Sequence, residues 1–135
     1  MSLPLRQAQI LTSVVTLIGS FAIYAFSVLV LTVIAAIVFQ AKPNEPTIPY
    51  LFAGLVIAAV ASFAGGYSAA ALAPVRPLTH TAGVAAMILI AQLSTLLSPP
   101  PGIPRWDPAA LTIIGPLLAL AGGYLRRPRR SALQA

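Results

Sequence analysis

Residues 10–39 run for thirty positions without one charged side chain. As a helix rising 1.5 Å per residue, such a run is ~45 Å long. The hydrocarbon core of a bilayer is only ~30 Å thick. Backbone amides and carbonyls find no water there, so a lipid-exposed run of this length has to be helical. Three further apolar runs follow, at residues 50–72, 81–97 and 108–125. The chain is 59% hydrophobic and 7% charged, with a mean hydropathy of +0.93. Soluble domains carry about 25% charged residues. A water-soluble fold with so little charge would expose large apolar patches. The expected class is an all-α integral membrane protein, one four-helix transmembrane domain with spans at 10–39, 50–72, 81–97 and 108–125 and a basic tail at 126–135.

The connectors are short and rich in proline: "QAKPNEPTIP" at 40–49, "APVRP" at 73–77 and "SPPPGIPRWDP" at 98–108. Proline lacks an amide donor and breaks helix interiors, so each cluster reads as a boundary. Loops of this length join antiparallel neighbours, which predicts two helical hairpins in series. Arg6, Arg76, Arg126, Arg127, Arg129 and Arg130 fall on one side of that zigzag, and Lys42 and Arg105 on the other. Cytoplasmic loops carry the excess of Lys and Arg, so both termini are expected in the cytoplasm of a bacterial inner membrane. The arginines read first as determinants of topology and second as contacts to anionic headgroups. A basic lead-in of a single arginine and an apolar stretch far longer than a signal peptide's make the first run a retained span.

The tetrapeptide AGGY occurs twice, at 64–67 and 121–124. Membrane helices associate by close packing of small residues, because lipid tails are as apolar as leucine. Gly54, Ala58, Ser62, Gly66 and Ala70 recur every four positions on the second run, and Gly115, Ala119 and Gly123 on the fourth. These rows are expected to be contact faces. An offset of 57 residues superposes the two AGGY copies and also Pro43 on Pro100, which fits either an ancestral duplication or a coincidence among residues common in membrane helices. The stretch "AGGYSAAALAPVRPLTH" resembles segments of small bacterial membrane proteins, a likeness that implies no activity.

Chemistry is sparse. There is no cysteine, one histidine and two acids. No acid or base lies inside the four expected spans, where ionisable groups mark ion and proton paths. His80 is the one candidate for an axial ligand to a haem or chlorin shared with another subunit. The ordinary reading of a lone boundary histidine is a solvated interfacial side chain. Asp107 and His80 fall at opposite ends of the bundle, which excludes a Ser-His-Asp set. No metal site is expected. Along the first run, Gln9, Thr12, Ser13, Thr16, Ser20, Tyr24 and Ser27 cluster on one face at 100° per residue. Such a polar stripe has to meet protein or water. Counting helical rise puts Gln92 of the third run at the depth of Tyr24, which makes it the natural hydrogen-bond partner.

The expected role is a non-catalytic accessory subunit of a larger membrane assembly, such as a respiratory or photosynthetic one. Its partners would be membrane lipids and other membrane subunits, with no nucleic acid. No cofactor is expected within the chain, although lipid, or a pigment or quinone, would be shared with partner subunits. The alternative is a small oligomeric transporter or channel whose path is lined by the stripe of Thr12, Thr16, Ser20, Tyr24 and Gln92.

Overall fold

The computed structural model describes residues 5–42, 44–73 and 76–126. Four helices account for most of them: α1 (Leu5–Val38), α2 (Ile48–Leu72), α3 (Pro77–Leu97) and α4 (Trp106–Leu125). All four are long and apolar enough to cross a membrane. Each begins earlier than the proline clusters suggest. Pro49 and Pro77 occupy the first two positions of α2 and α3, and Pro108 lies in the first turn of α4. The first amides of a helix have no intrahelical acceptor, so a proline there forfeits nothing and its fixed φ suits the turn. Asp107, expected in a loop, and His80, expected at a helix boundary, therefore lie inside helices.

The helix α2 packs against all three others, whereas α1 touches α2 and α3 and makes no contact with α4 among the described residues. The tightest approach joins α2 to α4. A Cβ on Gly66 would fall on the backbone carbonyl of Ala119, and one on Gly122 would fall on the carbonyl of Phe63. Gly115 faces Ser62, with 3.5 Å between an ideal Cβ at 115 and Ser62 Oγ. Ser62 meets Gly115 and Gly66 meets Ala119, so contacts advance in the same order along both helices. Against α3 the order reverses, with Gly123 on the Thr81 side chain and Gly115 on Ile88. Thr81 Oγ1 donates to Pro77 O at 3.0 Å and lies 3.4 Å from Gly66 O. Both AGGY copies thus supply glycines to one crossing. Gly65 lies against Tyr24, Gly66 and Gly122 join α2 to α4, and Gly123 receives Thr81.

Around this crossing the core consists of Tyr24, Ala61, Ala69, Val84, Ala85, Ile88 and Ala119. Ser20 and Ser62 are wholly buried, and their hydroxyls have no hydrogen-bond partner among the described residues. Their value is size: serine is small enough to let backbones approach. Gly54 departs from its row. A Cβ there meets nothing within 4 Å, because the wall of α2 opens at that level. At the same end the two interhelical loops touch. Gly102 adopts φ +80° and leaves no room for a Cβ beside the Asn44 carbonyl, so both its conformation and its closeness require glycine.

A methyl group separates the two kinds of glycine. Gly66→Ala should destabilise the protein by about 1–3 kcal/mol or more, since the obstacle is backbone that cannot rotate away. Gly54→Ala should leave stability unchanged. Thermal unfolding in detergent measures both, and equal tolerance at the two positions would remove Gly66 from the interface.

Candidate functional site

The polar stripe of α1 and its surroundings hold most of the buried polar groups in the bundle. Thr16, Ser20 and Tyr24 are three of the four buried residues of α1. Thr16 Oγ1 donates to the Leu72 carbonyl at 3.3 Å, one of the last carbonyls of α2, which have no intrahelical donor. Ser20 lies beside Gly65, and Gln92 Nε2 donates to Tyr24 Oη at 2.9 Å. The Tyr24 ring also leans on Phe21, with centroids 5.7 Å apart. Thr12 is different. It is exposed and bonds back to Ala8 O at 2.9 Å within its own helix. The reason is length: α1 has 34 residues and α2 only 25, so the first turns of α1 pass beyond the end of α2.

The histidine is not solvated. His80 is 7% exposed, and its Nδ1 lies 3.3 Å from Arg76 O. A carbonyl only accepts, so Nδ1 is the donor in this contact and the other ring nitrogen is Nε2. That nitrogen is buried and has no partner among the described residues. Arg76 itself is exposed, with φ +50°, immediately before the first turn of α3. Arg126 sits 5.8 Å from the centre of the Tyr67 ring, a cation–π contact at the end of the bundle where AGGY lies. Arg127, Arg129 and Arg130 fall outside the described residues.

At the opposite end a cavity of about 290 Å³ opens among all four helices. Gly54 forms part of its wall, and Thr32, Tyr50, Gln92, Thr95 and Asp107 place polar groups on it. Sequence reasoning missed this cavity. It also missed Asp107, which was assigned to the loop ahead of Pro108. Asp107 is 8% exposed and forms no hydrogen bond or ion pair through its side chain with any described residue. It stands in the first turn of α4, where the helix dipole favours a negative group by about 0.3–1 kcal/mol, and up to ~2 when partly buried. Neither carboxylate oxygen is among the wholly enclosed unpartnered polar atoms, so both keep some accessible surface. The available signal was "WDP": an acid one residue before a first-turn proline belongs to a helix start.

Gln92 connects the two regions, since it bonds Tyr24 on one side and lines the cavity on the other. A second cavity of about 310 Å³ lies between the loops, is lined in part by Lys42 and Asn44, and shares Tyr50 and Ile103 with the first. Among the described residues no three His, Cys, Asp or Glu side chains gather where they could hold a metal. Comparisons with protein-family models, curated proteins and solved structures give no match to this chain.

The Tyr24–Gln92 bond makes a quantitative prediction. Hydrogen bonds between membrane helices average ~0.6 kcal/mol. Tyr24→Phe and Gln92→Leu should each destabilise by about that much, and the double variant should lose less than their sum, since no polar group is then left unpaired. A double-mutant cycle on thermal stability in detergent reads the coupling, and a value of zero would show that the bond does not hold α1 in place.

Proposed function

We propose that the chain is a non-catalytic accessory subunit of a larger membrane assembly. In this reading it sits in a bacterial inner membrane as two antiparallel hairpins, α1–α2 and α3–α4, with both termini in the cytoplasm. The hairpin arrangement is supported by contact order. Thr16 meets Leu72 and Tyr24 meets Gly65, so α1 and α2 run in opposite senses. The orientation rests on the six-to-two division of Lys and Arg between the two ends.

The observation that carries the subunit reading is the division of labour on α1. Its buried polar side chains are turned inward and engaged with α2 and α3. From Val14 onward its outer surface is apolar, through Ile18, Phe26 and Leu29 to Ile37, all exposed. A helix held to its own bundle by a narrow polar seam presents the remainder to lipid and to the apolar flank of neighbouring subunits. The same inward turn weighs against a solute path along α1, because Thr16 and Tyr24 bond across the seam and Ser20 is wholly enclosed, which leaves no water-filled passage there.

Two experiments test this reading. Cysteines replacing Glu45 and Ser98 should react with a membrane-impermeant thiol reagent applied from the periplasmic side, and one replacing Gln7 should not. Labelling of Gln7→Cys from outside would reverse the orientation. Purification in a mild detergent should yield larger membrane polypeptides in fixed stoichiometry by native mass. A pure homo-oligomer would contradict the subunit role and favour transport.

A further inference from the structure

We propose that the cavity walled by Gly54, Gln92 and Asp107 binds a small organic cation with an apolar body, of the aryl- or alkylammonium class. The charge argument comes first. Among the described residues Asp107 is the only charged one on the cavity wall, and it is more than nine-tenths buried. Its carboxyl group has no donor among the described residues, so a bound ammonium would supply the partner it lacks and hold it ionised. Lys42 lines the neighbouring cavity, not this one, and forms no ion pair with Asp107.

Two of the other polar groups on the wall keep free acceptors. Gln92 gives one Nε2 hydrogen to Tyr24, and its Oε1 makes no bond among the described residues. Thr95 spends its hydroxyl hydrogen on Ala91 O at 3.3 Å, which leaves its oxygen lone pairs. A carboxylate, an amide oxygen and a hydroxyl oxygen from α4 and α3 suit an ammonium, which has three donors and no acceptor. An anion would meet the Asp107 carboxylate, whatever donors the Thr32 and Tyr50 hydroxyls offer.

Size and lining then choose among cations. A bare metal ion needs six or so oxygens at about 2.3–2.6 Å for calcium and fewer ångströms for magnesium, in a tight cage. This space is about 290 Å³, and Val28, Leu51, Ala58 and Leu111 supply hydrocarbon walls. A cavity that is mostly apolar with a few convergent polar groups is the ordinary form of a small-molecule site. Gly54 keeps it open, since a side chain there would project into unfilled space. Tyr50 and Ile103 border both cavities and form the divide between this site and the loops.

The protein carries its own reporter. Trp106 is the only tryptophan and immediately precedes Asp107, with its ring 6.0 Å from that of Phe52. The full chain in detergent is titrated with benzylammonium while Trp106 fluorescence is followed, and in parallel with benzyl alcohol, which has the same shape without the charge. Benzylammonium should produce a saturable change at least tenfold tighter than benzyl alcohol. Asp107→Asn should weaken benzylammonium at least tenfold and leave benzyl alcohol unchanged. Gly54→Leu should abolish both while the thermal midpoint stays near that of the parent. Equal affinity for the two compounds in the parent protein overturns the proposal without recourse to any variant. So does equal benzylammonium binding by folded Asp107→Asn. Displacement of benzylammonium by sodium, but not by choline at the same ionic strength, also overturns it, in favour of a metal-ion site.

Discussion

The backbone contact between α2 and α4 is the constraint on which the rest of the bundle depends. In lipid there is no hydrophobic force to draw helices together, so association relies on close packing and hydrogen bonds. Gly66 on Ala119 and Gly122 on Phe63 bring the two backbones as near as helices come. That approach fixes where α3 can lie. Thr81 enters the space left at Gly123, and Ile88 packs onto Gly115. It also leaves Ser62 buried with no partner, a cost accepted where a larger or more polar side chain would hold the helices apart.

The remaining helix is attached differently. α1 has no contact with α4 among the described residues and meets the bundle along a seam of Thr16, Ser20 and Tyr24. Thr16 satisfies the end of α2 and Tyr24 takes the amide of Gln92, while the backbone of Ser20 lies beside Gly65. Polar contacts of this kind are directional where apolar ones are not. They set the rotation of α1 about its own axis, and so decide which face is left for the surroundings. The cavity at Asp107 lies where this seam, the open wall at Gly54 and the start of α4 come together.

Legibility in the sequence followed the physics of each element. Four helices could be read because charge-free runs of that length have one solution in lipid. The Gly66 and Ala119 rows could be read because small residues four apart mark an approachable face. Tyr24 and Gln92 could be paired by counting rise from the helix ends. What could not be read depends on distance between elements. Gly54 fits its row by spacing, yet no helix comes near it, since spacing describes one helix and not its neighbour. By sequence Asp107 falls in a loop and His80 at a helix boundary, because the nearby prolines read as breakers. In a first turn a proline removes only an amide that had no acceptor. The cavity needed the relative placement of four helices, which no local pattern contains.

The α2–α4 contact is the most direct place to test this structure. Ser62 Oγ lies 3.5 Å from an ideal Cβ at position 115, and the natural chain contains no cysteine to interfere. A disulfide holds its Cβ atoms ~3.5–4.5 Å apart, so one can close only if the two positions are neighbours across the contact. A Ser62→Cys, Gly115→Cys protein treated with a mild oxidant in native membranes should close an intramolecular disulfide, visible as a mobility shift that reductant reverses. Two free thiols after oxidation, in a protein that remains folded, would contradict the parallel α2–α4 contact and with it the frame on which the seam and the cavity rest.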